Sequence, residues 1–223
     1  MNLDIDKIFC CHHPSGGLKK RKQRLVDFFA ENDLEVEWVE GFPPEEAVKQ
    51  NHDSLLNNVL AKGPERCRGD LEKAEEFCGK LISLILKHNY CCDNQLENNY
   101  ENILVLEDDV DLFSNFSEKY FNKCMQEFRD QSLEMLFMGS CCGLSFPYIN
   151  QGQYVYQHES LLSRCTHCYI LNIKGAEKVN KHCHKIIDAA DWQYNWIIKK
   201  EKIKNAWAEP SVGQLEEYES TLK

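Results

Sequence analysis

The sequence predicts an α/β domain, and three observations carry that expectation. Short apolar runs alternate with longer amphipathic ones along the chain. Ile103-Leu104-Val105-Leu106 is wholly apolar, as a strand at the centre of a helix-covered parallel sheet must be. It ends abruptly on Glu107-Asp108-Asp109, and sheets of this kind bind ligands outside the carboxyl ends of their strands.

Taken in order, Ile5 to Cys11 reads as a first strand centred on Ile8 and Phe9, and Pro14 with Gly16-Gly17 marks a loop. Leu18 to Asn32 reads as a helix whose apolar stripe includes Leu18, Leu25, Phe28 and Phe29, with five cations in its first turns. Leu34, Val36 and Trp38 alternate with acids as in a half-exposed strand, and Pro44-Glu45-Glu46 opens a helix. Residues 50–70 lack periodicity and are expected to be irregular. Leu71 to His88 should be a principal helix, and Cys91 to Glu101 a polar connection. After the acidic triplet come a helix over Phe116 to Arg129 and a strand over Met135 to Met138. A Tyr-, Gln- and Gly-rich loop or hairpin over Ser145 to Gln157 follows, then a strand over His167 to Leu171. Helices are expected over Gly175 to Lys185 and Asp191 to Lys200. The 223 residues fit one domain over 1–223, with about 205–223 as a peripheral C-terminal tail.

With 26 basic and 36 acidic residues the formal charge is −10, which disfavours nucleic acid and suits small anionic substrates. No apolar run is long enough to span a bilayer, and the acidic start, Met1 to Asp6, lacks a signal-peptide pattern. The expectation is a soluble protein, cytoplasmic or otherwise intracellular. On that reading the twelve cysteines are mostly reduced thiols buried as small hydrophobes.

Three adjacent carboxylates repel one another unless a cation joins them, and their oxygens suit Mg²⁺ or Mn²⁺. Such an ion takes part of its shell from substrate phosphates and can neutralise a leaving diphosphate. Strand alternation pairs Glu107 with Asp109 as metal ligands, Asp109 foremost, and turns Asp108 toward the ribose or sugar.

Ile103-Leu104-Val105-Leu106-Glu107-Asp108-Asp109-Val110 resembles the acidic metal-motif strand of the glycosyltransferase family that includes lipooligosaccharide sugar transferases and procollagen galactosyltransferases. Thr166 to Asn172 followed by Gly175-Ala176, then Asp191-Trp192, match later segments of that family in order. Ile8-Phe9 with Arg21 and Arg24 match weakly at the start. Leu86-Lys87-His88 matches a leucine-serine-histidine segment, with Lys87 in place of the serine. The resemblance implies a GT-A-like nucleotide-sugar-binding fold with a central mixed, mostly parallel sheet flanked by helices. It also implies Mn²⁺, with Mg²⁺ as the alternative, and inverting transfer from a nucleoside-diphosphate donor, UDP-linked and often carrying galactose. The acceptor would be a glycan or protein-linked hydroxyl.

On this reading Asp191 is the catalytic base, although an Asp there equally suits a helix N-cap. Arg21 and Arg24 offer forked donors to the diphosphate. His88, Ser140, Arg164 and His167 are further donor-site candidates, with Gly139 and Gly143 allowing close approach. Tyr148, Tyr154 and Trp192 offer flat faces to an acceptor sugar. Competing readings are a nucleotide-sugar-binding protein without turnover and a metal-dependent phosphohydrolase. A structural zinc site would draw on Cys165, Cys168, His182, Cys183 and His184, or on Cys10-Cys11-His12-His13. No P-loop or dinucleotide fingerprint is present.

Overall fold

The computed structural model describes residues 1–14, 19–49, 53–140, 144–146, 149–157 and 163–215. Its centre is an eight-stranded sheet: β1 (Lys7–Cys11), β2 (Glu37–Val39), β3 (Asn102–Glu107), β4 (Val110–Asp111), β5 (Met135–Gly139), β6 (Val155–Tyr156), β7 (Cys168–Asn172) and β8 (Asn205–Gln214). The order is β2-β1-β3-β7-β5-β8-β4, with β6 on β8. Strands β2, β1, β3, β5 and β8 point one way, and β7, β4 and β6 the other. The sheet is therefore mixed and mostly parallel, helices cover it, and the expected α/β class is the observed one.

Alternation along the strands divides the core into two layers. Ile8, Cys10, Leu104, Leu106 and Ile170 face helices α1 (Lys19–Glu31) and α6 (Glu118–Asp130), meeting Leu25, Phe28, Phe29, Phe121 and Met125. Phe9, Cys11, Ile103, Val105 and Tyr169 face α4 (Leu71–Asn98), α7 (Ile173–Cys183) and α8 (Ala190–Glu201). A third cluster packs α2 (Pro44–Ala47) and α3 (Asp53–Lys62) against the first half of α4. Gly79 makes this possible: a Cβ there would lie 2.6 Å from the Pro44 carbonyl oxygen. Short α5 (Leu112–Asn115) follows β4.

Three expectations need correction. Residues 53–62 form a helix, α3, held by Leu55 and Val59 inside the third cluster. Its stripe is two residues wide, too weak a periodicity to read without its partner helix. Helix α4 does not stop at His88 but runs to Asn98, closed by Asn99 in the left-handed conformation. Cys91, Cys92 and Gln95 on that last stretch are buried, because polar residues there alternate with thiols that pack on the sheet. The supposed tail contains β8, a strand buried over Asn205 to Glu209 between β5 and β4. Pro210 and a register shift opposite Phe137 to Gly139 interrupt the alternation there, which hides the strand pattern.

Nine described cysteines are free and buried, as expected of small hydrophobes, whereas Cys165 is disulfide-bonded. Cys168 lies wholly buried inside β7, so the Cys165-Cys168 pair does not form half of a zinc site. No described helix is long and apolar enough to cross a membrane.

Arg164 is fully buried, and its guanidinium locks β8 to the preceding loops. It donates to Leu144 O (2.7 Å), Ala208 O (2.9 Å) and Glu209 Oε1 (2.6 Å). Glu209 in turn accepts from the Phe146 and Ser211 amides. Changing Glu209 to Ala leaves that cation buried without its counter-charge. Urea denaturation should show a loss of about 3–5 kcal/mol; a loss under about 1 kcal/mol would mean the pair does not hold β8.

Candidate functional site

Strands β1 and β3 run parallel in a register that sets Phe9 beside Val105 and Cys11 beside Glu107. The two segments leaving these strands, His12-His13 and Asp108-Asp109, therefore emerge side by side. His12 Nδ1 donates to Asp108 Oδ2 at 2.7 Å, and both residues are buried. Helix α1 adds Arg21, one turn before Leu25 on its buried face. Its Nη1 lies 3.2 Å from Asp108 Oδ1 and 3.7 Å from Asp109 Oδ2. Both oxygens of Asp108 thus have partners within the protein, an anchoring arrangement, and the residue also lines the cleft described below.

Glu107 has a different set of partners. Its Oε1 accepts from Thr166 Oγ1 (2.7 Å) and His88 Nε2 (3.3 Å). The other nitrogen of His88 meets the Tyr169 hydroxyl at 3.0 Å, and Tyr169 meets the Tyr194 hydroxyl at 3.1 Å. A continuous polar chain therefore runs from α8 through β7 and α4 to the end of β3. Burial opposes ionisation of Glu107, but the bonds from His88 and Thr166 outweigh it and lower its pKa. Burial likewise opposes protonation of His88, while Cys11 and Glu107 raise its pKa above the ordinary imidazole value.

Asp109 is the carboxylate left over. Oδ2 accepts from Gln214 Nε2 at 2.9 Å, and its carbonyl accepts from the Leu215 amide, so the end of β8 closes on the site. Oδ1 is buried and has no hydrogen-bond partner. Burial, then the charges of Glu107 and Asp108, push its pKa up to about 7, with Gln214 and Arg21 only partly offsetting them.

All three acids line a cleft of about 680 Å³, within the range of small-ligand sites. Its walls are the end of β1, α2 with Pro44 and Val48, and the α4 face carrying Leu84 and Lys87. Glu45, Glu72, Glu75 and Glu76 stand around its outer part and are exposed.

The other candidates are distributed unevenly. Asp191 lies in the first turn of α8, beyond the N-cap position held by Ala189. Burial raises its pKa, the backbone bond from Trp192 opposes this, and the charge of Glu107 adds to the rise, but Asp191 does not line the cleft. Arg24 bonds Val110 O (2.9 Å) and Asp111 (3.3 Å), lies over Phe113, and does not line the cleft. Arg164 is committed to β8, as described above. His167 is buried with Nε2 3.2 Å from Val212 O, and burial lowers its pKa. Gly139 serves His167 rather than a donor, since a Cβ there would meet the imidazole at 2.4 Å. Ser140 bonds Leu144 O and lies outside the cleft. Tyr154 packs edge-to-face on Tyr120 over α6, and Trp192 is 62% exposed, neither lining the cleft. Tyr148 and Gly143 lie outside the described residues.

For a divalent ion the fitting ligand is Asp109, whose orphaned Oδ1 is a hard donor in need of a cation; Glu107 lines the same cleft. The triplet does not bring three ligand atoms together. Among the described residues the group that does so, within 4.8 Å, is Asp93, Cys183 and His184 on α4 and α7. A site at Asp109 would therefore depend on substrate phosphate for much of its coordination, as Mg²⁺ and Mn²⁺ sites commonly do.

Sequence reasoning named His12, Lys87, Thr166 and Tyr169 in its motifs without these contacts, and missed Tyr194 and Gln214. Tyr194 had a signal: it sits between Trp192 and Trp196 on α8, on the face that carries Ile197 and Ile198. Gln214 had none, because its partner lies 105 residues away.

Neither a protein-family model nor a curated protein sequence matches the chain. Among solved structures, the crystal structure of an apo UDP-glucose pyrophosphorylase superposes with a TM-score of 0.45 and 7% identity, covering 94% of this chain and 92% of that one. A likeness of that degree carries no argument about activity.

The folded pKa of Asp109, about 7, lies above its ordinary 3.8, so the folded protein holds this proton more tightly than the unfolded chain. Its contribution to stability is therefore full below about pH 4 and is lost as pH rises toward about 7. In chelator-treated protein, Asp109→Asn should remove that loss. The unfolding free energy of the variant should gain on wild type between these pH values and run parallel above them. A constant difference throughout would contradict the assignment.

Proposed function

We propose that this chain is a metal-dependent, inverting glycosyltransferase that moves a sugar from a nucleoside-diphosphate donor, UDP-linked, to a hydroxyl on a glycan or protein. The observation that carries this reading is the Asp109 carboxyl at the carboxyl end of β3, with a buried, unpartnered Oδ1 and a pKa pushed up to about 7, facing a cleft large enough for a nucleotide-sugar. The ordered resemblance of Ile103 to Val110, Thr166 to Ala176 and Asp191-Trp192 to the sugar-transferase family supports it further, including the GT-A-like assignment.

Asp109, with Glu107 beside it, would hold Mn²⁺ or Mg²⁺. That ion supplies positive charge to the departing diphosphate. Arg21 and His12 fix Asp108, so the segment carrying Asp109 keeps its direction as ligands enter. His88 and Thr166 fix Glu107 in the same manner. In a direct displacement the acceptor hydroxyl forms a bond to the anomeric carbon as the diphosphate oxygen leaves. The Asp191 carboxylate takes the hydroxyl proton, and burial raises its pKa.

A panel of UDP- and GDP-sugars tests this by calorimetry and by product detection. Mn²⁺ should strengthen donor binding and promote slow donor hydrolysis in wild type, and Asp109→Asn should lose both. Asp191→Asn should keep donor affinity while turnover falls about a hundredfold or more. Full transfer by Asp109→Asn would sink the metal role. Donor binding without hydrolysis or transfer to any acceptor would make the chain a nucleotide-sugar-binding protein.

A further inference from the structure

Lys87 is a buried cleft residue that none of the roles above uses. It replaces the serine of the resembling family segment, and it is only 3% exposed. Its Nζ donates to Ser83 Oγ at 2.6 Å, and Ser83 Oγ is committed in turn to Phe42 O at 2.6 Å. An ammonium has three N–H donors. Among the described residues this bond to Ser83 is the hydrogen bond Lys87 Nζ makes, and no carboxylate lies within ion-pair distance of it. His13, which follows β1 and lines the same cleft, has a buried Nδ1 without a hydrogen-bond partner. Burial lowers the pKa of both groups, only partly offset by Cys11 and Asp108 at Lys87 and by Glu45 and Asp108 at His13, and the Lys87 charge lowers that of His13 further.

A buried ammonium with a single hydrogen bond and a buried ring nitrogen with none are costly unless a ligand completes them. We infer that Lys87 and His13 form a phosphate subsite on the α4 wall of the cleft, where they grip the diphosphate of the donor independently of the metal ligand Asp109. The identification of the anion as a donor diphosphate rests on the function proposed above; the anion subsite itself does not. Arg21 cannot serve this purpose equally well, because its guanidinium is engaged with Asp108. The other lysine of the cleft, Lys80, is paired with Glu76, which leaves Lys87 as the cleft cation without an ion-paired carboxylate among the described residues.

Isothermal titration of the full chain with inorganic diphosphate, and separately with UDP, in metal-free chelating buffer tests the subsite. Wild type should bind both. Lys87→Met should weaken both roughly ten- to a hundredfold, and His13→Ala should weaken them in the same direction. Removing an uncompensated buried charge should leave the Tm of Lys87→Met unchanged or raised. A purely structural lysine would give the reverse, a lowered Tm with diphosphate affinity intact. Should Lys87→Met fail to fold, His13→Ala and Lys87→Gln carry the comparison. Failure of wild type to bind diphosphate without metal, or affinity in both the Lys87 and His13 variants within about twofold of wild type, overturns the inference. The two proposals fail differently. Diphosphate binding lost in Lys87→Met, with no nucleotide-sugar bound across the panel, removes the proposed function and keeps the subsite. Metal-dependent donor binding lost in Asp109→Asn but unaffected by Lys87→Met keeps the function and removes the subsite.

Discussion

The parallel register of β1 on β3 is the constraint on which the site depends. Pairing Cys11 with Glu107 brings together chain segments separated by 96 residues and ends both strands at one level. His12 then meets Asp108, and α1, which returns from β1 over the sheet, delivers Arg21 to the same point. A slip of one residue would exchange the two faces of β1, sending Phe9 and Cys11 toward α1 and Ile8 and Cys10 toward α4. The two-layer core forbids that exchange, so the packing of apolar side chains fixes the polar geometry at the strand ends.

Given that register, three neighbouring carboxylates acquire three different environments. Asp108 is neutralised by a histidine and an arginine, and Glu107 is oriented by a polar chain that reaches α8. Asp109 receives one amide from Gln214 and a distant share of Arg21, too little to stabilise its charge in a buried position. Their differences arise from partners rather than from the acids themselves. The partners of Glu107 and Asp108 keep the cluster from forcing itself apart, and Asp109 is left with an unpartnered oxygen.

Strand β8 links this site to the rest of the sheet. Its first half is held between β5 and β6, its end pairs with β4, and Gln214 reaches Asp109. Arg164 and Glu209 satisfy each other and the surrounding carbonyl and amide groups where the strand changes register. A buried arginine that resembles a phosphate ligand in sequence is thus part of the framework. The cleft instead presents Lys87, whose helix must lie close to α2 through Gly79 to bring it there.

The sequence by itself determined the alternation of strands and helices, the burial of Ile103 to Leu106 and the placement of acids at the end of that strand. These are local properties, written in periodicity and in the abrupt change from apolar to charged residues. It also singled out Arg21 among the cations of α1, but only the fold set it on the buried face, one turn before Leu25. It did not separate the roles of Glu107, Asp108 and Asp109, because their partners come from four other elements and from positions as far as Gln214. Nor did it reveal α3, the last turns of α4 or β8, whose apolar residues are too few or too interrupted to stand out before their neighbours are known. Lys87 is the sharpest instance: in a helix sequence a lysine reads as solvated, and only the packing of α4 against α2 and β1 decided that its charge would be buried at the cleft. Burial and counter-charge are properties of what surrounds a residue, and the tertiary fold alone supplies the surroundings.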